Sequence, residues 1–162
     1  MRPMRRLVVV LALALLVPAA AQARSDATLV IKVTSVSVAQ KTNDKPPKGT
    51  SKGDTIVFDD SLLNAKASQF GKKSGVKVGI DRGTMTFTSA HAARFDGTAT
   101  LPGGTLTLKG QVAASQDGKS LIIPVTGGTG RYKGVHGTLL VGPGVKRSLN
   151  TYTLTLPLQP IA

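Results

Sequence analysis

Chemistry near neutral pH needs titratable or nucleophilic side chains, and this chain holds few in suggestive places. The sharpest pattern is Asp59-Asp60, which closes the run DTIVFDD (54–60). Two carboxylates in unlike surroundings can divide acid and base roles, because their pKa values separate. On a strand, neighbouring side chains point to opposite faces, so these two share a site only where the strand ends. A solvated strand end is the plainer reading. Arg94, Tyr132 and His136 complete the polar set that could orient a small ligand. An inward His136 imidazole could bind or protonate a phenol. A surface histidine beside a glycine is again the plainer alternative.

Several site types are excluded. The chain has two histidines, His91 and His136, and no cysteine, whereas a zinc site takes three or four protein ligands. No metal and no organic cofactor are expected. The Gly-rich run 127–130 lacks the Gly-Lys-Ser/Thr and the following helix of a phosphate loop. No nucleophile elbow accompanies His136. Specific nucleic-acid recognition lacks a stacking surface, since the only aromatics are Phe58, Phe70, Phe87, Phe95, Tyr132 and Tyr152, spaced as for a core.

Residues 1–23 are expected to be a signal peptide. Arg2, Arg5 and Arg6 precede the unbroken apolar run Leu7–Val17, and Ala21-Gln22-Ala23 supplies a small-residue cleavage pattern. Eleven apolar residues fall short of the about 20 that a membrane-spanning helix needs. Cleavage after Ala23 would make this a secreted protein starting at Arg24. It would also remove three of the 21 basic residues and none of the eight acids. The remaining net charge of +10 could attract anionic cell-surface polymers. A merely solvated basic surface is the alternative. All eight acids are aspartate. Without cysteine, no disulfide supports the fold outside the cell, so one hydrophobic core must hold it.

The elements that would position the polar groups are strands. Residues 24–53 comprise a first strand, Ala27–Gln40, and a Lys/Pro-rich loop, KTNDKPPKGTSKG. Residues 54–162 form the remainder of the same domain. In the first strand Leu29, Ile31 and Val33 share one face but Val36 and Val38 the other, a change of phase near Thr34–Ser35 that fits a bulge or a strand covered differently along its length. Ser61–Gly75 fits either a helical turn or a loop laying Leu63 and Phe70 over an opening. Strands then follow over 76–80, 83–89, 92–101, 104–114, 120–127, 132–141 and 148–158. Asp81-Arg82-Gly83, Pro102-Gly103-Gly104, Gln116-Asp117-Gly118 and Gly142-Pro143-Gly144 are the separators. Nothing sustains a helical period. Eight or nine antiparallel strands suit a sandwich or a small closed barrel, and closure removes exposed edges. The run PVTGGTGRYKGVHGTL (124–139) reads as strand, sharp corner, strand. Gly127, Gly128 and Gly130 would provide unusual backbone angles, while Gly134 and Gly137 would mark a bulge or a close approach.

That run, with Gly53-Asp54 leading into Phe58-Asp59 and with Phe95-Asp96-Gly97-Thr98-Ala99 before Gly103-Gly104-Thr105, resembles the barrel of plant allene oxide cyclases, dirigent proteins and their secreted bacterial relatives. The resemblance covers about Gly53 to Leu158. It implies an all-β fold, a single closed antiparallel barrel of about eight strands with an apolar lumen, often a homotrimer. The cyclase chemistry has no match here. Its first-strand glutamate is absent, because that strand offers Thr34, Ser35 and Ser37, and its lumen cysteine has no counterpart. Dirigent proteins typically carry Ala-Arg-Gly where this chain has Val135-His136-Gly137. The expected protein is a secreted barrel that binds a small hydrophobic or phenolic molecule, with Asp59 or Asp60, Arg94, Tyr132 and His136 as its polar contacts. Two alternatives stand: a cofactor-free isomerase or lyase, and a structural envelope protein gripping anionic wall polymers.

Overall fold

The computed structural model describes residues 26–113, 120–144 and 146–157. The expected signal peptide with its cleavage point, the Gln116-Asp117-Gly118 turn and Leu158 lie outside the described residues. Eight strands form one closed barrel: β1 Ala27–Asn43, β2 Thr55–Asn64, β3 Lys77–Ser89, β4 Ala92–Leu101, β5 Gly104–Ala113, β6 Leu121–Gly128, β7 His136–Val141 and β8 Arg147–Leu156. Each strand pairs antiparallel with its neighbour in the chain, and β1 closes the ring on β8. Sequential hairpins make this the shortest way to bury one apolar face per strand without leaving an open edge.

Alternation decides what faces inward. On β4, Ala93, Phe95, Gly97, Ala99 and Leu101 are buried while Arg94, Asp96, Thr98 and Thr100 are exposed. On β8, Tyr152 and Leu154 are fully buried between exposed or half-buried threonines. The last strand thus presents one apolar face to the core.

Three local expectations are corrected and one left open is decided. Asp81-Arg82-Gly83 is no turn, because β3 runs unbroken through it, with Asp81 opposite Asp60 and Gly83 opposite Phe58. Gly83 is needed for space: a Cβ there would come within 2.9 Å of the Phe58 ring. The second strand does not end at Asp60 but continues to Asn64. On β1 the inward face does not change phase at Thr34–Ser35. Ser35 continues it as a buried polar residue, and the register shift falls between Ser37 and Ala39, where Val38 is the extra residue. Between β2 and β3 the chain is a loop with one 3-10 turn, Gln69–Gly71. Fully buried Leu62, not half-buried Leu63, fills the core there, with Phe70 packed against it. Gln69 ties this loop to β1 by accepting from the Lys32 N–H and donating to the Lys32 carbonyl, both at 2.9 Å.

The Gly-rich segment does join two neighbouring strands, β6 and β7, as expected. Of its three expected corner glycines, only Gly130 takes an unusual backbone angle. Gly127 and Gly128 are extended strand residues, whereas Gly130 takes φ +59° and opens a short 3-10 turn, Gly130–Tyr132. Tyr132 lies in that turn, and β7 begins only at His136.

Candidate functional site

The barrel is filled at one end and hollow toward the other. Leu62, Leu101, Leu106, Tyr132, Val135 and Leu154 are all buried around the end where β4 turns into β5. Toward the opposite end, Phe58, Met85, Phe95, Leu121, Ile123, Leu139 and Val141 enclose a cavity of about 150 Å³ whose polar lining is Asp60, Asp81, Ser148 and Asn150.

Those polar groups meet through barrel register. Asp60 and Asp81 are directly opposite on β2 and β3. The Ser35 hydroxyl, from β1, donates to Asp60 Oδ2 at 2.7 Å. On β8 the Ser148 hydroxyl donates to Asn150 Oδ1 at 2.9 Å. Asp81 is only 4% exposed. Its Oδ1 and the Tyr152 hydroxyl are buried with no hydrogen-bond partner among the described residues. A buried polar atom left unsatisfied costs about 1–3 kcal/mol, and of these two residues Asp81 belongs to the cavity lining.

Burial disfavours the charged form of Asp81, and the negative charges of Asp60 and Asp59 add to this, which pushes its carboxyl up to about 7. Burial likewise holds the Tyr152 phenol well above its ordinary range, assisted by Asp81 and Asp60. The cavity thus contains a carboxyl that is part acid and part base near neutrality. It can donate to a ligand's carbonyl, accept from a phenol, or face a positive charge.

Of the five candidates taken from the sequence, only Asp60 reaches this cavity. Asp59 lies on the outer face, paired with Arg82 Nε at 3.1 Å. The two aspartates do point to opposite faces, as neighbours in a strand must. Arg94 is exposed on β4 and His136 is exposed at the first residue of β7, both outside the cavity lining. Tyr132 is fully buried and donates to the Pro102 carbonyl at 3.1 Å, with Arg131 stacked over its ring at 5.6 Å. It seals the filled end. Tyr132→Phe should therefore lower the unfolding free energy by about 1 kcal/mol in urea titrations and leave any ligand bound in the cavity unaffected.

Asp81, Ser148 and Asn150 were missed in the sequence. Asp81 was hidden by the turn-like triplet containing it. A signal was available, since Asp81, Gly83, Met85 and Phe87 keep the same two-residue spacing as one face of a strand. A larger hollow of about 490 Å³ lies on the outer surface over Gly83 and Gly97. Two of its acids are already ion-paired, Asp59 to Arg82 and Asp96 to Lys109 at 3.2 Å, and no buried polar group opens into it. The inner cavity is the candidate site.

Residues 24–156 match the Dirigent-like protein family. The chain is a member of that family. The solved structures it resembles include pyocyanin demethylase, at 21% identity and a TM-score of 0.66, covering 78% of this chain and all of that one. A pterocarpan synthase dirigent protein follows at 14% identity and a TM-score of 0.62, covering 87% of this chain and 91% of that one. An exo-specific intermolecular Diels-Alderase aligns at 16% identity and a TM-score of 0.66, over 82% and 99% of the two chains. At such identities the likeness is one of fold. No curated protein matches the sequence.

Proposed function

We propose that this dirigent-like barrel is an exported protein that binds a small hydrophobic or phenolic molecule in its lumen. The observation that carries the reading is the cavity itself: an apolar hollow with the unpartnered Asp81 oxygen at its polar side. Apolar walls supply the affinity of such sites, and a few fixed polar groups orient the guest. Proteins of the same fold bear names that describe work on small organic molecules: a demethylase, a pterocarpan synthase and a Diels-Alderase. Export rests on the basic residues and apolar run of 1–23.

A second reading, a cofactor-free isomerase, is favoured by the same carboxyl. Half protonated near neutrality, Asp81 can give a proton to a bound ligand and take one back with no net redox change. The expected homotrimer has support in exposed apolar side chains on one outer region: Ile122 pairs with Leu140, and Leu149 lies diagonal to it. The envelope reading draws only on the basic surface, and binding to an anionic polymer would vanish in moderate salt.

Native mass spectrometry of protein from its own host tests these together. The expected spectrum shows the processed chain as a trimer carrying an extra small mass that disappears in Met85→Trp, whose indole would fill the cavity. A folded protein without added mass would refute lumenal binding, and a monomer would refute the trimer.

A further inference from the structure

The cavity holds more negative charge than a neutral guest needs. Asp60 and Asp81 both line it, directly opposite one another, and no lysine, arginine or histidine does so among the described residues. Asp60 has one oxygen satisfied by Ser35. Asp81, 4% exposed, leaves Oδ1 unpartnered. A buried carboxylate without a counter-charge is unfavourable, and an opposite charge brought beside it relieves that cost. The rest of the wall suits a cation too. Phe58 and Phe95 stand 5.5 Å apart, tilted by 37°, and Met85 lies in the same lining. Aromatic faces attract cations electrostatically, most strongly where water is excluded.

We propose that the lumen of this barrel selects an organic cation, a protonated or N-alkylated amine or heteroaromatic, with its charge beside Asp60 and Asp81 and its carbon framework against Phe58, Phe95 and Met85. The claim rests on the cavity being a ligand site, as argued above. A hard metal ion fits poorly. Calcium takes six to eight oxygen ligands, and beyond the two carboxylates the lining offers only Ser148 and Asn150, which bond each other. Leu121, Ile123, Leu139 and Val141 complete the wall and offer none.

The groups facing Asp81 set the pH response. Asp60 and, on the outer side, Asp59 come from β2, Tyr152 from β8 and the neutral Ser35 from β1. From β4, β6 and β7 the cavity receives only apolar side chains: Phe95, Leu121, Ile123, Leu139 and Val141. With no basic neighbour to share it, the Asp81 proton must leave for a cation to gain the full charge. Cation binding therefore strengthens as pH rises through about 7.

N-methylpyridinium and toluene have nearly the same shape and differ in charge. Each is titrated into the protein at pH 6 and pH 8, followed by the NMR shift of the Met85 methyl group. At pH 8 N-methylpyridinium should bind about tenfold or more tighter than toluene. Its affinity should drop about tenfold at pH 6, the change in ionised fraction of a group titrating near 7. Asp81→Asn should abolish that pH dependence and retain toluene. Toluene binding as tightly as N-methylpyridinium at pH 8 would overturn the cation claim and leave the cavity reading standing. Failure of both probes to shift Met85 would overturn the cavity reading and this one with it. Displacement of N-methylpyridinium by calcium chloride at equal concentration would overturn it in favour of a metal site.

Discussion

Asp81→Asn should make the barrel more stable at pH 8, the reverse of what removing a buried polar group from a satisfied network does. In the unfolded chain the Asp81 carboxyl titrates near 3.8, and in the barrel near 7. Between those values the folded state binds the extra proton, so stability falls as pH rises from about 4 to above 7. At 1.36 kcal/mol per pKa unit, the shift from 3.8 to about 7 corresponds to roughly 4 kcal/mol at the alkaline side. Asparagine has the shape of the protonated acid and never ionises, so it should remove most of that loss. Urea unfolding at pH 5 and pH 8 measures it. The wild type should be clearly weaker at pH 8 and the variant nearly flat. A wild-type profile flat over this range, or a variant weaker at pH 8 by a similar amount, would contradict the burial of an ionisable Asp81.

Asp54 works in the opposite sense and in another pH window. It accepts hydrogen bonds from the Lys45 N–H at 2.8 Å and the Ser51 N–H at 2.7 Å, and these hold its carboxyl below the usual range. Its contribution is present above about 3.8 and is lost as pH falls through its lower folded value. Asp54 thus shapes the acid limb and Asp81 the neutral one, and stability should peak between them. One aspartate secures a loop. The other weakens the barrel at the pH where a ligand would meet it, which is consistent with a binding role.

The second large effect is expected at the corner between β6 and β7. Gly130→Ala should lower stability by about 3 kcal/mol, whereas Gly127→Ala, three residues earlier, should change it by about 0.5 kcal/mol or less. Gly130 has φ +59°, and a Cβ there would run into the Gly103 carbonyl oxygen and lie 3.2 Å from Gly104 Cα. That same carbonyl accepts from the Arg131 N–H at 2.9 Å. The β4–β5 turn and this corner are therefore stacked backbone on backbone, with Thr129 N–H bonded to the Thr105 carbonyl at 2.9 Å and the Thr105 N–H to Thr129 Oγ1 at 3.1 Å. A methyl group separates the two turns. At Gly127 a Cβ meets nothing within 4 Å. Thermal unfolding of the two variants gives the comparison, and equal melting temperatures would refute the interlocked-turn account.

Much of the architecture was legible because strand alternation is a local property. Leu29, Ile31 and Val33, or Tyr152, Leu154 and Leu156, show their shared face within a few residues. Gly103-Gly104 and Gly142-Pro143-Gly144 mark chain reversals that the structure contains. Gly83 shows the limit of such signals. A glycine after Asp-Arg looks like a turn, yet its missing side chain makes room for Phe58, which is 25 positions earlier in the chain. Likewise Ser35 breaks an apolar face and looks like a change of phase. It is the inward residue that meets Asp60.

The amino-acid order alone determined an all-β chain of hairpins, its division into strands apart from the unbroken β3, the end of β2 and the start of β7, the absence of cysteine and glutamate chemistry, and the placing of Asp59 and Asp60 on opposite faces. Tertiary structure decided which face mattered. Closing β1 on β8 brings the inward positions of distant strands around one space, so that Asp60, Asp81, Ser148 and Asn150 meet there while Arg94 and His136 stay outside. The physical reason is that side-chain direction repeats every two residues and can be read locally. Which residues stand across from one another depends on the register of all eight strands at once, and no short stretch of sequence contains that register.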